Sequence, residues 1–238
     1  FEISARETYD HISAGMMASA AELGLAAKSE GIITLHDGSA TPGQDAREIL
    51  GSDDTVFDVN VTPDRGYALS ARGLTREIAS AFDLEFSDVA QDPSIAGIDI
   101  SGVPAPSGET IAVSVEESTK AKRFGVRTVE GIEPNATAPF WMQRELMLAG
   151  VRSVNAATDV TNYVMLLTGQ PMHAFDADKI AGGLRVHNAA DGEKFETLDH
   201  VERTLTAEDV VISDDNGIQS LAGVMGGTTS ETVSYTHL

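Results

Sequence analysis

The chain has 238 residues, 16 Lys and Arg against 37 Asp and Glu for a formal net charge of −21, and no Cys. This length admits one large or two small domains, and the absence of Cys excludes a disulfide framework, a thiolate metal site and a cysteine nucleophile. The acid excess argues against a module that binds nucleic acid alone, since Lys and Arg supply most phosphate affinity.

No stretch reaches the roughly 18 consecutive apolar residues of a membrane span. No charged-then-apolar leader precedes the first motif either, so a cytoplasmic protein with no membrane association is expected.

In chain order, the apolar run 31–35, with turn signals at Asp37-Gly38 and Pro42-Gly43, predicts small strands of a barrel-like fold. Met16 and Met17 read as core. Alternation of Val56, Asp58 and Asn60 with Phe57, Val59 and Val61 predicts a strand over 55–61. A helix then starts with Thr62 as N-cap and Pro63 at the first position, and Leu69, Leu74, Ile78, Ala81 and Phe82 share a face. Asp64 and Arg65 could suggest a catalytic pair, but an acid in a first turn meets the helix dipole.

Residues 84–109 are rich in Asp, Ser, Pro and Gly, and 104–108 form the clearest linker. Beyond it, strands are expected over 110–115 and 124–129, and a helix over 139–148 that packs Trp141, Leu146 and Met147. A second helix over 159–168, capped by Asp159 or Thr161, turns Val164, Met165 and Leu167 inward and stops at Gly169 and Pro171. Strands follow over 184–186, 194–198, 210–213 and 218–221. Without a regular β-α-β rhythm, the class is α+β.

Two segments carry candidate chemistry. Residues 161–176 lead a helix into a turn bearing His173, which by spacing is either a core histidine or a site histidine. The run Leu221-Ala222-Gly223-Val224-Met225-Gly226-Gly227 lacks the spacing and Lys of a phosphate loop. Its missing side chains suit either a pocket wall or a tight turn. No His pair at i, i+4 stands near an acid, so no metal site is expected.

The run 161–176, with Arg152-Ser153-Val154-Asn155 before it and 221–227 after it, closely resembles the beta subunit of bacterial phenylalanyl-tRNA synthetase. The resemblance extends to Phe57-Asp58-Val59-Asn60-Val61-Thr62-Pro63-Asp64-Arg65, to Leu74-Thr75-Arg76-Glu77-Ile78-Ala79 and to Thr197-Leu198-Asp199, in the same order, up to about Glu231. It implies the C-terminal end of an OB-like tRNA-binding domain over 1–52, a B1-like segment and linker over 53–105, and a truncated B3/B4-like editing domain over 106–232. Residues 233–238 do not continue the pattern and are expected to be a non-native tail.

The resemblance further implies a part in Phe-tRNA synthesis and hydrolytic editing of Tyr mischarged on tRNA(Phe). His173 is then the catalytic residue, Thr161 and Asn162 are editing-pocket residues, and Ala222 with Gly223 is the small wall. The implied partners are the alpha subunit, in a tetramer of two alpha and two beta chains, and tRNA(Phe). ATP and Mg2+ serve the whole enzyme, with no cofactor expected on this chain.

A pocket glutamate expected after the glycine run is not reached, and the chain begins at Phe1, so an inactive fragment is expected. A freestanding trans-editing deacylase and a non-catalytic interaction module are the alternatives. The family usually carries Asn at Asp64, Cys near Ala18 and Gly at His200.

Overall fold

The computed structural model describes residues 3–23, 31–35, 40–51, 53–133, 136–230 and 232. The turn at Asp37-Gly38 and the tail 233–238 lie outside the described residues. In chain order the regular elements are β1 (Arg6–Thr8), β2 (His11–Ser13), α1 (Ala46–Leu50), α2 (Ala71–Phe82), β3 (Val113–Val115), α3 (Phe140–Leu148), α4 (Ala156–Thr168), β4 (Leu184–Asn188), β5 (Lys194–Glu196), β6 (Glu202–Thr204), β7 (Val210–Asp214), β8 (Gly217–Leu221) and β9 (Met225–Gly226). The class is α+β, as the interleaving of periods implies. By contacts the chain divides into Phe1–Asn60 with Ala138–Val154, and Val61–Thr137 with Asn155–Leu238.

In the first unit, β1 and β2 form an antiparallel hairpin that is not closed into a barrel. Met17 is exposed and Met16 borders on it, so neither is the core residue expected. Asp45 caps α1 by accepting from the Arg47 backbone N–H at 2.9 Å. Leu50, Met142 and Leu146 are buried, whereas Trp141, expected inside, stands 46% exposed. The reason is angular: Met142 and Leu146, four apart, set the inward stripe of α3, and Trp141 lies about 100° round from Met142.

Residues 55–60 show another departure, forming no strand, with Val56, Phe57 and Val59 exposed. Alternation creates a strand only where a neighbour supplies backbone partners, and none pairs here among the described residues.

The second unit is built on a five-stranded sheet of order β3-β4-β7-β8-β9, in which β3 runs parallel to β4 and the other neighbours are antiparallel. Consecutive residues of β7 face opposite sides. Ile212 joins Leu184 and Val186 of β4, while Val211 joins Ala189, Phe195 and Leu205. Both faces are therefore covered, and Ala222 and Phe175 pack with the Ile212 group.

The expected strand at 124–129 is absent, although its period of two is real. Phe124 and Val126 turn their side chains down onto the sheet face while the backbone stays irregular. Of 110–115, only Val113–Val115 pairs. The hairpins β5–β6 and β8–β9 complete the unit; β6 and β9 are too short for their periodicity to be read.

Thr62 and Pro63 open a 3-10 turn, Pro63–Leu69, rather than the helix itself. The α-helix begins afresh at Ser70, whose hydroxyl accepts from the Gly73 N–H at 3.1 Å. Arg72 holds Asp88 by two bonds of 2.6 Å, which fastens the segment after α2 back onto it. That pairing holds the Asp88 carboxyl down at about 2. Of the apolar residues assigned to one face, Leu74 is half-buried and Leu69, Ile78 and Phe82 are exposed.

Candidate functional site

The site is prepared by α4. Its N-cap is Asn155, not Asp159 or Thr161: the Asn155 Oδ1 accepts from the Thr158 N–H at 2.9 Å. Asp159 instead sits fully buried in the first turn. The Thr161 hydroxyl donates back to the Thr158 carbonyl at 2.8 Å, so it is engaged within its own helix. Asn162 is half-buried on the next position, and its amide makes no side-chain hydrogen bond among the described residues. Val164 and Leu167 are half-buried as expected, while Met165 is 39% exposed. Gly169 ends the helix at φ 79° with its N–H on the Met165 carbonyl.

The chain then turns through Pro171 to His173. The imidazole meets the edge of Phe175, with centroids 4.5 Å apart and ring planes at 70°. Its other neighbour is the backbone of Gly226 in β9. A β-carbon there would lie 2.6 Å from Nε2 and closer still to Cε1, and 3.2 Å from Leu198 Cδ1. The imidazole thus occupies the volume a side chain would fill.

His173 Nε2 is buried without a hydrogen-bond partner among the described residues, and burial pushes the imidazole below its ordinary 6.5. It is therefore neutral at neutral pH.

The glycine run supplies the opposite side. Gly223 sits at φ 70°, in the left-handed region, with Pro171 Cγ 3.7 Å from where a β-carbon would be. Ala222 packs into the sheet core.

Of the predicted residues, then, the structure joins the 171–173 turn to the glycine run at two points, and places Thr161 and Asn162 on the helix leading into that turn. No hydrogen bond links Thr161 or Asn162 to His173 among the described residues.

Sequence reasoning passed over Gly226 and Phe175, which lie against the imidazole. The available signal was the second glycine pair in 221–227, because two adjacent residues without side chains leave room for something bulky. Gly227 does the same for Phe195, whose Cζ is 2.5 Å from its would-be β-carbon.

Among the described residues no group of three or more His, Asp or Glu could hold a metal ion. The glycine run has no Lys to meet a phosphate. The residues here do not fit ATP or Mg2+. No described helix is long and apolar enough to cross a membrane.

Comparison with known proteins identifies the setting. The B3/4 domain family matches residues 120–237. The phenylalanine–tRNA ligase beta subunit of Corynebacterium diphtheriae is 72% identical over 232 residues, 97% of this chain and 28% of the relative. This chain belongs to the phenylalanine–tRNA ligase beta-subunit family. The beta subunits of Corynebacterium glutamicum, at 70%, and Nocardia farcinica, at 52%, match over the same 97% of the chain and 28% and 27% of their own lengths. The chain therefore spans little more than a quarter of the beta subunits it matches.

A crystal structure of an N-terminal fragment of the phenylalanyl-tRNA synthetase beta subunit from Pyrococcus horikoshii is 18% identical. It covers 77% of this chain and 56% of that one at a TM-score of 0.39.

Proposed function

We propose that this chain serves as part of a phenylalanine–tRNA ligase beta subunit, and that its region 106–232 hydrolyses tyrosine mistakenly esterified to tRNA(Phe). Membership of the family supports the first statement. The observation that carries the second is the buried, neutral, unpartnered Nε2 of His173, held beside the backbone of Gly226.

Hydrolysis joins a water oxygen to the ester carbonyl carbon and breaks the bond to the ribose oxygen. The products are free tyrosine and the ribose hydroxyl. A neutral imidazole nitrogen suits the orienting of that water, because it accepts a hydrogen bond without first losing a proton. Ala222 and Gly223 let a flat side chain approach, and the free amide of Asn162 can meet a polar group on it.

Such a second site answers a limit of the first, since a pocket built for Phe rejects an added hydroxyl only weakly. The alpha subunit, tRNA(Phe), ATP and Mg2+ belong in this reading to the assembled ligase in the cytoplasm. In this reading the tRNA contacts lie mainly outside this chain, an assignment that its net charge of −21 supports.

The test is hydrolysis of Tyr-tRNA(Phe) by the chain and by the assembled ligase, each with His173→Ala and Asn162→Ala beside the parent. Loss of hydrolysis in the assembled ligase with either substitution, with Phe-tRNA synthesis retained, supports the reading. Unchanged hydrolysis with both refutes it. Activity of the isolated chain at the rate of the assembly would show that its own residues suffice.

A further inference from the structure

We propose that Phe175 is a positioning residue for His173, holding the imidazole in a single orientation against Gly226. The proposal rests on the reading of His173 as a site residue, and it adds the means by which that residue is set.

Three observations carry it. The rings meet edge to face at 4.5 Å and 70°, the arrangement favoured by aromatic quadrupoles. Phe175 is not itself adrift, since it packs into the apolar group of Leu184, Val186 and Ile212 on the face of the sheet. Finally, no hydrogen bond orients the imidazole at Nε2. Histidines that act in chemistry commonly have one nitrogen fixed by a partner while the other works. Here Phe175 and the flat backbone of Gly226 confine the ring by shape instead.

Phe175 and the backbone of Gly226 lie against the ring. The nearest acid along the chain, Asp176, is turned to other work. It accepts from the Asp178 N–H at 3.2 Å and faces Lys179 Nζ at 3.6 Å. Among the described residues no carboxylate pairs with the imidazole to fix it or raise its pKa. The Phe175 ring seats it, and burial lowers its affinity for a proton.

The experiment uses Phe175→Leu, which keeps apolar bulk but removes the ring, and Phe175→Tyr, which keeps the ring. The chain carries histidine labelled at Cε1, and the His173 signal is followed by NMR through a pH titration. Hydrolysis of Tyr-tRNA(Phe) is measured in the assembled ligase.

With Phe175→Leu, the Cε1 proton is expected to lose its ring-current shift and the titration midpoint to rise towards 6.5. The acid limb of the pH–rate profile should move with it, and kcat should fall about tenfold with KM little changed. Phe175→Tyr should restore all of these.

A folded Phe175→Leu chain with the parent's His173 shift and midpoint overturns the proposal. If Phe175→Leu does not fold, the Phe175→Tyr chain decides: parent-like His173 signals uphold the proposal, and signals like those of free histidine overturn it. Should His173→Ala leave hydrolysis intact, the reading of the site fails, yet the NMR arm still decides whether Phe175 seats the ring.

Discussion

Substitution of Gly226 by Ala tests the architecture most directly, because the space is already taken. The added carbon would lie 2.6 Å from His173 Nε2 and closer still to Cε1, and ordinary contact begins at 3.4 Å, so the imidazole must retreat by about 1 Å. Leu198 Cδ1, 3.2 Å from the added carbon, is crowded as well, and the Phe175 ring lies against the imidazole. The backbone of Gly226 is not in the left-handed region and pairs with Ser220, so the strand itself tolerates Ala. The cost is overpacking, about 1–3 kcal/mol.

A displacement near 1 Å at a working group costs up to about a hundredfold in rate. Hydrolysis of Tyr-tRNA(Phe) by the assembled ligase should therefore fall between about tenfold and a hundredfold, while Phe-tRNA synthesis is retained. Gly223→Ala is the matched comparison: it meets only Pro171 at 3.7 Å, and its penalty comes from φ 70° alone. It should lower stability without shifting the His173 NMR signal. Equal hydrolysis by parent and Gly226→Ala, with the His173 signal unmoved, would falsify the seating of the imidazole on β9.

Other expectations concern stability. His200 holds φ 58° in the β5–β6 turn, where its N–H bonds the Thr197 carbonyl at 2.8 Å. Removing the left-handed penalty of about 1–2 kcal/mol, less the added chain entropy of Gly, His200→Gly should stabilise by about 0.5–1 kcal/mol in urea unfolding. Its ion pair with Glu196 is exposed and contributes little. Asn155→Ala removes the cap of α4 and should cost about 1 kcal/mol by the same measurement; no loss would mean another group caps the helix.

Two titrations should separate by pH. His173 binds its proton less readily folded than unfolded, so its contribution is complete above 6.5 and is lost as pH falls below it; His173→Asn should flatten that slope. Asp88 contributes fully above its ordinary 3.8 and loses that contribution as pH falls through about 2, and Arg72→Gln should remove this limb alone.

Much of this was legible from residue types. The α4 helix stops at Gly169, and the strands around Leu184, Lys194, Val210 and Ile218 stand within a few residues of their expected places, because their apolar periods coincide with burial on the two sheet faces. The segments 55–61 and 124–129 show the limit. Both alternate, but a strand needs a backbone neighbour, and periodicity does not say whether one is present. The cap of α4 was misplaced because Asn155, Asp159 and Thr161 all have suitable side chains, and only backbone geometry selects among them.

At the site, His173 and the glycine run stood out by composition. Their meeting did not, since Gly226 is more than fifty positions away in the chain. Phe175 did not stand out for the same reason: an aromatic contact depends on where two rings end up, not on their spacing.

The parallel pair β3–β4 sets an order in time. Val115 and Val186 are neighbours in the sheet, and everything from Asn155 to His173 lies in the excursion between them. At a synthesis rate of about 5–20 residues per second, β3 waits on the order of 4–14 s before its partner exists. The turn bearing the imidazole is finished earlier than the sheet that holds Phe175, and Gly226 emerges later still. The seat is thus the last part to be delivered, and until then the histidine is solvated and carries a proton as readily as any free one. A pause or a break in translation between His173 and Gly226 would leave a chain with every helix of the site and no place for its imidazole to rest.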